Sequence, residues 1–396
     1  MTSAKPLVQG YIAPGFEPVS AVFGELFRAH GEQGAGLVIY RHGQLLLDIY
    51  GGYQDRDRQE PWNSDTRANC FSVSKGLVAL CVIQLLERGW LDLDAPVADY
   101  WDGFEVNGKA DISVRQLMSH NSGLSAFHGR LKDSDIFSWD AVVERLEAEE
   151  PWWPPGSAQG YSPFVYGWLV GELICRVSGA NSFNDYFQQF VAAPLKASCH
   201  FGIPLEQQTN IATMAPLKVI KGAEHQGSGS SIGDMMKADP KGVVNKAFTN
   251  PMSLMLGTNS PEWRAAQVPA ANGHCTANGL ARIYAALANG GTLDGESVLQ
   301  PHSLEHCWTE LSRGDDKVLG AHLRFGCGFM LSQHDQADCR FGRGINGFGH
   351  PGAGGSLGFA DPEFGIGFGY VTSRMGQGLL VDPRAQKLID CLYDRL

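Results

Sequence analysis

Residues 71–89 read FSVSKGLVALCVIQLLERG, and the fold turns on how they are read. Val73, Leu77, Leu80, Cys81 and Leu85 recur at three- and four-residue steps and Gly89 ends the run, which predicts a helix from Phe71 to Gly89. Ser72 falls on the first turn, and Lys75, three residues on, shares its face. A serine hydroxyl is a poor nucleophile until a neighbour takes its proton. The amides at a helix N-terminus favour negative charge, and a partly desolvated lysine accepts a proton or keeps a second base ionised. With 27 serines and 12 lysines in 396 residues, about one Ser-x-x-Lys arises by chance. Taken alone, the pair reads rather as a solvated helix start.

Working outward, residues 36–50 (GLVIYRHGQLLLDIY) predict two strands around an Arg41-His42-Gly43 turn, followed by a polar loop. Beyond the helix, LDLDAPVADYW reads as a turn and a short helix. Residues 111–119 (DISVRQLMS) predict a helix opened by Asp111 or Ser113 and ended by His120-Asn121-Ser122-Gly123. EEPWWPPGS is a proline-stiffened loop, and residues 163–177 and 274–290 are helical in pattern. Residues 216–260 lack periodicity and predict a long loop over a site. The period then switches: 325–331, 355–361 and 365–373 read as strands, and 382–396 as a closing amphipathic helix. Strand-rich ends around a helical middle imply a discontinuous α/β domain from residues 1–85 and 290–396, with a mainly helical domain at 86–289.

Composition sets the outer bounds. Apolar residues at 43 % and charged residues at 18 % exclude a disordered chain, a coiled coil and a disulfide-stapled miniprotein. The 31 basic against 42 acidic side chains, a net charge of −11, argue against nucleic acid or an anionic membrane as the main partner. The longest apolar region, residues 76–86, is too short to span a bilayer, and the N-terminal residues contain no signal-peptide core. Nine cysteines, an odd number with no Cys-x-x-Cys, read as free thiols of a reducing cytoplasm. The twelve histidines show no metal-ligand spacing, so neither a metal nor another cofactor is expected, and His120 reads as a helix cap. Two Gly-x-Ser-x-Gly matches, at 229–233 and 354–358, lie in a loop and ahead of a strand rather than on a strand-to-helix elbow, and read as chance.

Two further elements keep company with Ser72. Gly160-Tyr161-Ser162-Pro163 precedes a helix, and a tyrosine there needs a cation such as Lys75 to become a useful base. Gly349-His350-Pro351-Gly352-Ala353-Gly354-Gly355 precedes a strand, where small residues let a substrate approach the backbone and a free N–H joins that of Ser72 in an oxyanion hole. Ser72-Val73-Ser74-Lys75, Tyr161-Ser162-Pro163 and His350-Pro351-Gly352 together resemble the three ordered motifs of the serine β-lactamase and penicillin-binding-protein superfamily. The branch resembled is the class C β-lactamase-like group, and within it the family VIII carboxylesterases. The likeness runs from about residue 20 to the C-terminus.

The resemblance implies an α+β fold with an antiparallel sheet flanked by helices and a mainly helical domain. It implies Ser72 as the acylated nucleophile, Lys75 as the residue that holds and polarises the Ser72–Tyr161 pair, and Tyr161 as general base and acid. The N–H groups of Ser72 and Ala353 would form the oxyanion hole, with His350 and Gly352 in the substrate-binding motif. Pro163 stands where class C lactamases commonly carry Asn, and His350 and Pro351 stand for the usual Lys and Thr. A fixed cation and a hydroxyl that would clamp a β-lactam carboxylate are thus missing, which favours a small uncharged ester as substrate. Trp152, Trp153 and Trp168 line an acyl pocket or belong to the core, and Trp153 is the candidate for substrate contact. The expectation is a serine carboxylesterase acting on short-chain acyl esters. The alternatives are a β-lactamase, a D-amino-acid peptidase or amidase, an acyltransferase, or a non-catalytic binding protein on the same fold.

Overall fold

The structure, a computed structural model, describes residues 8–215, 232–376 and 378–396. The first strands are β1 (Val8–Ile12), β2 (Gly34–Arg41) and β3 (Gln44–Gly52), followed by the two-residue strands β4 (Ala68–Asn69), β5 (Cys199–His200) and β6 (His274–Cys275). A small hairpin, β7 (Thr292–Leu293) and β8 (Glu296–Ser297), leads to β9 (Ser312–Asp315), β10 (His322–Phe325) and β11 (Met330–Leu331). Then come β12 (Phe348–Pro351), β13 (Leu357–Asp361) and β14 (Ile366–Thr372). The helices are α1 (Glu17–Ala29), α2 (Val73–Glu87), α3 (Val114–Met118), α4 (Trp139–Ala148), α5 (Val165–Ser178) and α6 (Phe183–Phe187). They continue with α7 (Ile232–Ala238), α8 (Val243–Thr249), α9 (Ser253–Leu256), α10 (Pro261–Ala265), α11 (Ala277–Ala288), α12 (Glu305–Trp308) and α13 (Pro383–Tyr393).

Nine strands form one antiparallel sheet in the order β1-β3-β2-β14-β13-β12-β11-β10-β9. Its centre joins distant sequence: Gly36 pairs with Val371 and Ile39 with Phe368. On one face α1 and α13 lie against each other, burying Val19, Phe23 and Leu26 with Leu388 and Leu392. On the other face α11 packs along β14, β2 and β13, so closely that a Cβ at Gly367 would stand 2.3 Å from the Ala285 backbone. Part of the glycine excess is therefore a helix-on-sheet contact with no room for side chains. A second sheet, β4-β6-β5, leads the chain into α2. This is the antiparallel sheet flanked by helices that the sequence predicts.

Several expectations need correction. The single strand expected at 325–331 is two, because Gly326–Phe329 turn the chain and Phe325 pairs with Met330. Of the long loop expected at 216–260, residues 216–231 lie outside the described residues, and the remainder carries the short helices α7, α8 and α9. Helix α2 shows no amphipathic face: every residue from Val73 to Leu85 is buried, as befits a helix packed on all sides. Ser113, not Asp111, opens α3, through a reciprocal capping box with Gln116.

Candidate active site

Strand β4 ends at Asn69, and two residues later Phe71 takes a left-handed conformation at φ 47°. That bend starts α2 abruptly and leaves Ser72 at its N-terminus, half-buried between fully buried neighbours. One turn on, the Lys75 Nζ donates to Ser72 Oγ at 3.2 Å, to the Pro163 carbonyl at 2.8 Å and to the Ala270 carbonyl at 3.1 Å. Lys75 has no exposed surface, and burial holds its ammonium well below the usual lysine range.

Tyr161 approaches from the turn before α5. Its phenol shares a hydrogen bond with the Ser72 hydroxyl, and the Lys75 Nζ lies 4.6 Å from its ring centroid. Burial pushes the phenol upward in pKa, and the hydrogen bond to Ser72 only partly offsets this. Burial thus works against the charged form of both the amine and the phenol. The hydroxyl, amine and phenol form one connected cluster.

The Tyr161 turn is clamped by a residue that no motif flagged. Asp316, just after β9, is buried, and its carboxylate accepts from the Tyr161 N–H at 2.8 and 3.0 Å and from the Val318 and Leu319 N–H groups at 2.9 Å. Gln159 Nε2 adds a longer contact at 3.4 Å. Desolvation raises the Asp316 pKa, and the N–H donors work against that rise. His120 braces the other side. Its ring lies 5.0 Å from that of Tyr161, its carbonyl accepts from Gly160 and its Nδ1 accepts from the Ser162 N–H. The expected helix end at His120 is present, with φ 60° just beyond α3. The ring's contact with Tyr161 is additional to it.

The third motif arrives on β12. His350 is buried 5.9 Å, ring to ring, from Tyr161, and its Nδ1 donates to the Pro351 carbonyl at 2.7 Å. Burial, then the nearby Lys75, push its pKa down to about 3, so it is a neutral imidazole and no substitute for a fixed cation. The following turn is closed by Gly352 N–H to the Ser356 carbonyl and Gly355 N–H to the Gly352 carbonyl, both 2.8 Å. Gly352 touches the nucleophile's own strand exit: a Cβ there would stand 2.3 Å from the Cys70 carbonyl. Among the described residues the N–H groups of Ser72 and Ala353 have no protein acceptor.

A cation secures this turn from behind. Arg384 Nη2 donates to the Gly354 carbonyl at 3.1 Å, while Nη1 reaches Glu32 at 2.6 Å and Nε reaches Asp382 at 2.9 Å. Glu32, also buried, accepts from Tyr370 and Thr372 at 2.8 Å.

The tryptophans divide. Trp168 is buried, donates to the Gln267 carbonyl and packs near Phe127, so it belongs to the core. Trp153 is half-buried with its ring on Gly160, next to Tyr161, and Trp152 stacks on His128 at 3.8 Å. Ser74 is buried beside the nucleophile. Its Oγ accepts from the Gly273 N–H, joining α2 to the residue before β6. Of the two Gly-x-Ser-x-Gly matches, residues 229–231 lie outside the described residues. Ser356 is buried at the start of β13, where its Oγ accepts from the Thr372 N–H. All nine cysteines are free thiols. Among the described residues no group of three or more His, Cys, Asp or Glu is placed to hold a metal, and no helix is long and apolar enough to cross a membrane.

The beta-lactamase family model matches residues 19–390. A relative from Mycobacterium tuberculosis, the esterase/beta-lactamase LipL, is 32 % identical over 391 residues, covering 96 % of this chain and 86 % of that protein. The crystal structure of a family VIII carboxylesterase superposes with a TM-score of 0.89 at 34 % identity, over 98 % of this chain and all of the other. A penicillin-binding-protein homologue from Caulobacter crescentus superposes at 0.88 with 35 % identity, over the same shares. Sequence and architecture agree over nearly the full length, and the chain belongs to the beta-lactamase family, with the fold shared by its lactamase and penicillin-binding-protein relatives.

Proposed function

We propose that the protein is a serine carboxylesterase that hydrolyses small, uncharged, short-chain acyl esters through an acyl-enzyme on Ser72. The observation that carries this reading is the hydroxyl–amine–phenol cluster of Ser72, Lys75 and Tyr161 beside a neutral His350. The esterase names of the relatives support it.

In this mechanism Ser72 Oγ attacks the ester carbonyl while its proton passes to Lys75, with Tyr161 as the relay. The oxyanion sits between the N–H groups of Ser72 and Ala353. Collapse of the tetrahedral intermediate breaks the C–O bond, and Tyr161 gives a proton to the departing alcohol. Water, deprotonated by the same pair, then releases the acid and restores Ser72. His350 and Gly352 bound the acyl-binding edge, and Trp153 offers it a flat apolar wall. Pro163 and the neutral His350 give a substrate carboxylate nothing to pair with, which disfavours β-lactams and free peptides.

A burst assay with p-nitrophenyl butyrate tests the proposal. The wild type releases a burst of nitrophenol, and Ser72→Ala loses kcat/KM by roughly 10⁴-fold or more. Absent hydrolysis by the wild type, or equal hydrolysis by Ser72→Ala, refutes it. A second reading, slow lactam hydrolysis, is favoured by the double name of LipL, and a parallel nitrocefin assay measures it. We also propose that residues 1–85 with 290–396 and residues 86–289 form the two lobes flanking this cleft, except that α11 goes with the sheet on which it packs, and that the free thiols reflect a reducing cytoplasm.

A further inference from the structure

The small sheet β4-β6-β5 presents two unlike faces. Side chains alternate along a strand, so Ala68 and Cys70 share one side with Cys275 and Cys199, which pair across the sheet. The opposite side carries Arg67 and Asn69 from the β4 edge, then His274, which pairs with Asn69, then His200, which pairs with His274. Helix α10 lies beside it, with Arg264 in electrostatic range of His274 and the Trp263 carbonyl accepting from Asn272, two residues before His274.

Polar atoms on this side lack partners. Asn69, His274 and Trp263 are buried, with relative exposures of 1 %, 0 % and 0 %. Among the described residues, both side-chain polar atoms of Asn69, both ring nitrogens of His274, Trp263 Nε1 and Arg264 Nε make no hydrogen bond. The Asn272 carbonyl lies close enough to favour a charged His274, but outside hydrogen-bond geometry. Donors dominate this set: the amide N–H₂, one imidazole N–H, the indole N–H and the guanidinium N–H outnumber the Asn69 oxygen and one imidazole lone pair.

Charge points the same way. Arg264, Arg67 and His200 all lie within electrostatic range of His274, and each works to keep it neutral. Both guanidinia are half-buried, and neither meets a carboxylate among the described residues; burial is the force acting on each. Arg67 Nη2 has only the Gln207 and Thr209 carbonyls. Two half-buried guanidinia without a carboxylate partner concentrate positive charge here, in a chain of net charge −11. A water molecule would satisfy the orphan donors but would leave that charge unbalanced.

We propose that Arg67, Asn69, His200, Trp263, Arg264 and His274 form a binding site for a small inorganic anion on the side of the β4-β6-β5 sheet opposite its cysteines. An anion there joins α10 to β4 and β6, the two strands that lead into the Ser72 turn and the Gly273–Ser74 contact. Its direct effect is on the stability of that region.

The test uses the full-length protein in HEPES with sodium gluconate at fixed ionic strength. Gluconate is replaced stepwise by chloride in one arm and by inorganic phosphate in the other, and thermal midpoint and titration heat are recorded. A saturable rise in midpoint of about 2 °C or more is expected in one arm, and the responding arm identifies monatomic anion or oxyanion. Arg264→Gln and Arg67→Gln should each weaken the fitted affinity at least 10-fold. A response that is absent from both arms, or unchanged in both variants, overturns the site. Bromide-soaked crystals of the wild type give a reading independent of variant folding. An anomalous peak among Trp263, His274 and Arg264 supports the site, and water density alone there refutes it.

Discussion

Two turns face Ser72, and they are held by opposite means. The Tyr161 turn hangs by its N–H from a carboxylate, Asp316; the Gly352–Ser356 turn hangs by a carbonyl from a guanidinium, Arg384. Asp316 makes no ion pair among the described residues and depends on N–H donors, so burial raises its pKa. Arg384 lies between Glu32 and Asp382, which drive its pKa up against the cost of burial. The first clamp is local to one corner of the site. The second gathers α1's trailing residue, β14 and α13 behind the oxyanion turn. A dipole-solvated ion and an ion paired within a network fail differently, and substitution separates them.

The largest effect removes what the first turn presents. Tyr161→Phe should lower kcat on p-nitrophenyl butyrate about 10³-fold while the circular dichroism spectrum and thermal midpoint stay unchanged. Full activity in this variant would assign all proton transfer to Lys75. Next comes Arg384→Met, which frees the Gly354 carbonyl and strands Glu32 in the interior. Urea unfolding should show a loss of about 3–5 kcal/mol. The activity of the folded fraction should fall about 10²-fold, the worth of one misplaced oxyanion donor. Asp316→Asn is milder. One oxygen becomes an N–H₂ that opposes the Tyr161 N–H, for about 2 kcal/mol in stability and about 10-fold in kcat with little change in KM. If Asp316→Asn proved costlier than Arg384→Met, the local clamp would be the stronger.

The smallest effect is electrostatic. The folded pKa of His350, about 3, lies below its ordinary 6.5, so the unfolded chain binds more protons between those values. The stability that neutral His350 contributes is complete above pH 6.5 and is lost as pH falls toward 3. His350→Asn lacks that share, and its stability between pH 7.5 and 5.5 should decline by about 1 kcal/mol less than the wild type's. Equal slopes for the two proteins would mean that His350 is charged in the fold.

What the sequence disclosed follows from distance along the chain. Ser72, Lys75, Tyr161 and His350 stand in short motifs, and the structure gathers them around the Tyr161 ring. Asp316 and Arg384 were invisible because each serves a backbone atom far away in sequence. Only the three-dimensional path shows that Asp316 accepts from residue 161, or that Arg384 donates to residue 354. Helix α1 is readable in sequence: Val19, Phe23 and Leu26 keep one face behind Pro18. Strand β1 was not readable, because as a partly exposed edge strand it lacks a clean alternation. The strand at 325–331 was misjudged because an apolar run spanning a tight hairpin looks continuous in sequence.

The pairing of β2 with β14 sets a schedule for the living cell. Arg41 leaves the ribosome long before Ile366, and at about 5–20 residues per second the gap is on the order of 15–60 s. Through that interval β2 has β3 and β1 to one side, but its other edge, flanked by buried residues such as Leu37 and Ile39, waits for a partner not yet synthesised. Until then that edge presents unpaired N–H and C=O groups. The Gly352–Ser356 turn follows β12, so the candidate site is complete only with the last strands of the sheet.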